Sequence, residues 1–201
     1  MQTGTNIDQR RRRGLQLAAL LVVVAAVVVA VGLRLVGPAE DQPAAPVAGG
    51  DDRPLPEQLA DEVVTLLEGA SLAEHAAHGH HFDEDAHGIV CAADTLGFEP
   101  TTASTVDEVE TIYAHHMCAE YGPGLYWPDA LRASGPLVVE LDTAPASIML
   151  PEQALVGEEG VTHADRVRSI LPEEYHEQVI AADGFDPDVA EVLRDRFESI
   201  S

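Results

Sequence analysis

Apolar residues change their spacing several times along this chain, and each change marks a different kind of element. The first run is continuous. Gly14 to Leu33, GLQLAALLVVVAAVVVAVGL, is twenty residues without a charge, with Gln16 its one strongly polar side chain. At about 1.5 Å per helical residue it spans about 30 Å, the thickness of a bilayer's hydrocarbon core. A helix satisfies every backbone group there without water. Residues 14–36 are therefore expected to form a transmembrane helix. Residues 37–54, GPAEDQPAAPVAGGDDRP, have no periodic apolar positions and are rich in Pro, Gly, Ala and acid, as in a flexible linker.

From residue 55 the spacing becomes helical. Leu59, Val63, Val64, Leu66 and Leu67 predict an amphipathic helix from Pro56 to Glu68, stopped by Gly69. Ser71-Leu72-Ala73-Glu74 has the form of a capping box that opens another short turn. Ile89, Val90, Ala93 and Leu96 predict a short helix. Thr105-Val106-Asp107-Glu108 reads as a second capping box, for a helix running to Gly122 on Val106, Val109, Ile112, Tyr113, Ala114 and Met117. The period then shortens. Leu137 to Leu141 and Ser147 to Leu150, bounded by Gly135-Pro136, Pro145 and Pro151, predict two antiparallel strands, with Leu125-Tyr126-Trp127 as a third. Helices return over 162–170, 172–182 and 187–200, the last capped by Asp186. Helices, then strands, then helices define an α+β domain over 55–201.

Charge orients these parts. Residues 1–13 carry Arg10, Arg11, Arg12 and Arg13 against Asp8, whereas from Pro38 onward six arginines face 34 acids, a balance of −28. Basic residues before an apolar span place that end in the cytoplasm, so the acidic domain is expected outside. Partners then include the lipid bilayer and other membrane or cell-envelope proteins. The competing expectation is a cleaved signal peptide ending at Ala30-Val31-Gly32. Arg13-Gly14-Leu15-Gln16-Leu17 before a Leu/Val/Ala helix also resembles the signal of type IV pilin-like proteins, although Ala19 stands where that family has glutamate. The net charge of −24 excludes a nucleic-acid binder, which needs a basic face. The chain has no lysine, as in GC-rich or salt-adapted coding.

Candidate chemistry is confined to a few positions. Cys91 and Cys118 fall on consecutive predicted helices outside the membrane, where a disulfide pinning those helices is the expectation. Five of nine histidines, His75, His78, His80, His81 and His87, lie within thirteen residues among Asp83, Glu84 and Asp85, a donor set suited to zinc, nickel or copper. His115 and His116 form a second pair beside Met117 and Cys118. Glu84/His87 and Glu173/His176 have the Glu-x-x-His spacing of di-iron bundles, but the predicted strands do not fit a four-helix bundle. No nucleophile elbow, zincin helix, Walker lysine, dinucleotide loop or EF-hand is present, so no motif supports an enzyme. Tyr121, Tyr126 and the single tryptophan, Trp127, crowd a turn-rich stretch that is a candidate interaction surface.

The segment from Ile89 to Tyr121, with Val-Cys-Ala-Ala-Asp and Thr-Val-Asp-Glu-Val-Glu-Thr-Ile-Tyr-Ala-His-His-Met-Cys, is similar to uncharacterised membrane-anchored or secreted proteins of high-GC actinobacteria. Gly-Pro-Leu-Val-Val-Glu-Leu and Leu-Pro-Glu-Glu-Tyr-His-Glu-Gln extend the resemblance over most of the globular part. It implies a location but no activity. The combined expectation is a single-pass anchored accessory or interaction module without a cofactor, and the alternative is an extracytoplasmic metal-binding protein built on the histidine-rich loop.

Overall fold

Leu59, Val63 and Leu67 recur at helical spacing and are all buried, so the first helix, α1 (Leu55–Gly69), lays one stripe on the rest of the domain. It heads the part of the computed structural model that describes residues 51–182 and 184–200. The segment 14–36 lies outside those residues; among them no helix is long and apolar enough to cross a membrane. The end of the expected linker is tied down: Arg53 bonds Asp51 and Asp61, and Gln58 donates to the carbonyls of Asp51 and Arg53.

A short α2 (Leu72–Ala77) follows, opened by the Ser71/Glu74 capping box that the sequence predicts. Four antiparallel strands then form a meander in chain order: β1 (Gly88–Glu99), β2 (Thr111–Tyr121), β3 (Arg132–Glu140) and β4 (Ser147–Met149). Three helices close the fold, α3 (His163–Ile170), α4 (Glu173–Ala182) and α5 (Pro187–Ile200). The domain is α+β, with helices on both faces of the sheet. On one face α1 packs on Cys91, Ile112, Ala114, Cys118, Leu137 and Val139. On the other, Val189, Leu193 and Phe197 of α5 cover Val90, Ala92, Met117 and Ala119, while Val167 and Val179 of α3 and α4 cover Tyr113 and Val138.

This double cover explains two corrections. The expected helices at Ile89–Leu96 and Thr105–Gly122 are strands β1 and β2, apart from a single 3-10 turn at Val106–Glu108. A strand buried on both faces is apolar at odd and even positions alike, and a continuous apolar run matches a helical stripe as well as a strand. The acid of the expected second box is used differently: Glu108 accepts from the backbone and hydroxyl of Ser104. Leu125-Tyr126-Trp127 is a turn rather than a third strand, closed by Leu125 N–H on Gly122 and Asp129 N–H on Tyr126. The strand expected at Leu137–Leu141 is found but begins five residues earlier, at Arg132, while the strand at Ser147–Leu150 and the Asp186 cap of α5 are found within a residue of their expected bounds.

Cys91 and Cys118 are therefore joined across paired strands, not across helices. Cys91 points its own N–H and C=O away from β2, so the two cysteines form a non-hydrogen-bonded pair, the closer kind, here with Cα atoms 4.0 Å apart. Those outward groups have partners. Glu68 of α1 accepts the Cys91 N–H at 2.8 Å, Arg196 of α5 donates to the Cys91 carbonyl, and Arg196 pairs with Glu68 at 3.0 Å. Farther along β1 a bulge at Thr95/Gly97 turns the strand, and Gly97 lets the Tyr175 hydroxyl lie where a Cβ would overlap it.

Candidate functional site

Because strand side chains alternate between faces, His115 and His116 of β2 point to opposite layers. His116 lies on the α1 face, fully buried. Two more buried imidazoles reach it, His75 from α2 and His80 from the segment after it, and the local backbone accounts for their meeting. Gly79, at φ +94°, ends α2 in the left-handed conformation that glycine favours. The Gly79 N–H then bonds the Ala76 carbonyl at 3.1 Å and the His80 N–H bonds the His75 carbonyl at 2.8 Å, the two bonds of a Schellman cap. That cap brings the side chains of its third-from-last helical residue and second following residue together, here His75 and His80. A side chain at Gly79 would also press on Glu152.

The three rings meet in series. His75 Nδ1 lies 3.3 Å from His80 Nδ1, His80 Nε2 lies 3.1 Å from His116 Nε2, and His116 Nδ1 lies 2.8 Å from the Gly135 carbonyl of β3. A carbonyl only accepts, so one protonation pattern fits the neutral rings. His116 donates through Nδ1 to Gly135, His80 donates through Nε2 to His116, and His75 donates through Nδ1 to His80. His75 Nε2 is left as a bare acceptor without a hydrogen-bond partner, facing the Leu67 carbonyl without closing a bond of normal geometry. Phe82 packs edge-on against both His75 and His80.

Electrostatics agree with neutral rings. Burial pushes His80 down to about 4, and the neighbouring His75, His78 and His81 add to the effect. His116 falls well below the ordinary histidine range, from burial first and His80 second. His75 is lowered by burial, partly offset by the Leu67 carbonyl. No carboxylate sits inside the chain of rings to compensate a positive charge.

The five candidate metal ligands separate in the fold. His75 and His80 come together, and His116 joins them. His78 ends α2, half-buried, with Nδ1 unpartnered; His81 and His87 are exposed, and the His87 ring contacts that of Tyr121. The rings of the buried trio meet pairwise rather than around a common point. Among the described residues no group of three or more His, Cys, Asp or Glu side chains is placed to hold a metal ion. The Glu-x-x-His pairs do not converge: Glu84 and His87 lie on the exposed loop before β1, and His176 donates to the Leu171 carbonyl in α4 at 2.7 Å. His115 is buried on the opposite face, both ring nitrogens lacking a well-formed bond.

The aromatic turn divides likewise. Tyr126 is 71% exposed, Trp127 packs edge-on against Phe197 with the Arg132 guanidinium 4.8 Å above its ring, and Tyr121 is half-buried at the end of β2. Met117, Trp127, Arg132, Phe185, Ala190 and Arg194 line a groove of about 640 Å³ beside this turn, rimmed by acids of α5.

His116 is the member of the trio that the predicted helix at 105–122 concealed. The signal that reveals the chain is Gly79, five residues after the Glu74 of the capping box, because the cap it forms dictates the His75/His80 contact. Comparison with known proteins finds no matching family model, no matching curated protein and no matching solved structure.

Proposed function

We propose that the chain is a single-pass, amino-end-inside membrane protein whose acidic α+β domain works outside the cytoplasm as an accessory or interaction module. The observation that carries this reading is the buried cystine. Both cysteines of the chain are consumed in one bond between strands, and such structural disulfides belong to oxidising compartments. The basic residues 10–13, the apolar run 14–33 and the −28 balance beyond it support the same topology. An interaction role is supported by the Tyr126–Trp127 turn and the neighbouring groove, where Tyr126 and Phe185 stand exposed near Arg132, whose guanidinium donates to the Trp127 carbonyl. Aromatic and arginine side chains grouped in this way are the residues that anchor protein contacts.

A phosphatase active only outside the cytoplasm, fused after Ser201, tests the topology. High activity is expected, together with Cys91 and Cys118 that resist alkylation until reduced. An inactive fusion with freely alkylated cysteines overturns the reading.

A further inference from the structure

We propose that the His75–His80–His116 chain is an acid-operated latch, holding the segment from Leu72 to Ala86 on the sheet while its rings are neutral and releasing it when they take up protons. The proposal does not depend on the topology above.

Few other contacts hold this segment. Leu72, Ala73, Glu74, Ala76, Ala77, Gly79 and His81 are exposed, and its buried side chains are His75 and His80, with Phe82 partly covered. A segment with so little apolar burial opens locally at low cost. Its principal anchor is the series of ring-to-ring bonds that ends on the Gly135 carbonyl.

Those bonds require neutral His80 and His116 rings. A proton added to His80 Nδ1 or to His116 Nε2 places two donors face to face at 3.3 or 3.1 Å. A proton entering at His75 Nε2 meets the Leu67 carbonyl, but it puts a charge among buried rings. The groups around the chain do little to hold such a charge. Glu74 of α2 is exposed and occupied by Ser71. Glu152, in the turn after β4, lies beside Gly79 and pairs with His163. Glu120 at the end of β2 accepts the N–H groups of Asp83 and Leu131. His78 and His81 of the segment itself add positive charge once protonated, and His115 sits behind the sheet. α1 presents the Leu67 carbonyl and β3 the Gly135 carbonyl to the chain, and the β1 partner of His116 is Ala93.

Release returns His75 and His80 to water, where an imidazole takes a proton near pH ~6.5. Each ring that is neutral when latched and free to titrate when open favours opening roughly tenfold more at pH 5.5 than at pH 7.5, so two give roughly 100-fold. Hydrogen exchange of the full chain in detergent, read by mass spectrometry over residues 72–86 and corrected for intrinsic exchange, measures this constant. The expected result is that 100-fold rise with β2 protection unchanged, flattened by tenfold or more in His80→Phe and kept in Glu120→Gln, which removes the sheet carboxylate that accepts the Asp83 N–H. Protection over 72–86 that stays flat from pH 7.5 to 5.5 in the unaltered protein overturns the latch whether or not either variant folds. A response abolished by Glu120→Gln also overturns it, by moving the titration to that carboxylate.

Discussion

His115 and His116 are chain neighbours on the same buried strand, yet the two faces of the sheet treat them differently. His116 has a partner on each nitrogen, Gly135 on one side and His80 on the other; His115 has a well-formed bond on neither. Burial lowers both, but for His115 the carboxylates of Asp186 and Asp94 pull the other way, whereas His116 faces further imidazoles. The α5 face is held by apolar contact around Leu193 and Phe197, and its histidine is a tolerated polar group. Part of the α1 face is instead held by a polar chain, which breaks when His80 or His116 takes up a proton. Burial of a titratable ring is thus a poor sign of a site, and burial in series with other rings is a better one.

Four experiments sharpen that contrast. Phe197→Ala, which removes the largest fully buried side chain of the α5 face, is expected to cost about 3–5 kcal/mol in chemical denaturation, with nearly the same loss at pH 7.5 and 5.5. The opposite face is expected to lose stability with acid. His80 is held at about 4 when folded, against an unfolded value near ~6.5, so its contribution is complete above pH ~6.5 and is lost as the pH falls towards 4. The His80 share of the loss is on the order of 3 kcal/mol, read as a fall in denaturation midpoint that His80→Phe reduces, leaving the share of His75 and His116. Gly79→Ala forces a Cβ into a left-handed conformation against Glu152 and is expected to cost about 1–2 kcal/mol, concentrated in exchange of residues 72–86. His115→Leu is expected to change the midpoint least, by less than about 1 kcal/mol and in the stabilising direction, because it removes two buried nitrogens without well-formed bonds.

The sequence made some elements plain and disguised others for definable reasons. Helices with one wet face were legible: α1 from the spacing of Leu59, Val63 and Leu67, α2 from its Ser71/Glu74 box and α5 from the Asp186 cap. Strands β3 and β4 were legible because Pro and Gly bracket short branched runs. Strands β1 and β2 were not, since a doubly covered strand lacks the alternation by which a half-wet strand is recognised. The candidate site inherited that error. Placing His115 and His116 on a helix hides that they face opposite layers, so His116 could not be brought to His80. The cysteine pairing survived the mistake because it rests on compartment and count rather than on period.

One consequence of the Glu68–Arg196 pair concerns neighbouring copies rather than the fold itself. A twelve-residue margin strand such as β1 is a ready template on which a second molecule can zip its own backbone. At Cys91 the outward amide and carbonyl are already claimed by side chains from helices on opposite sides of the sheet. An incoming chain must displace both side chains before it can bond there, so strand addition is opposed at that point of the rim.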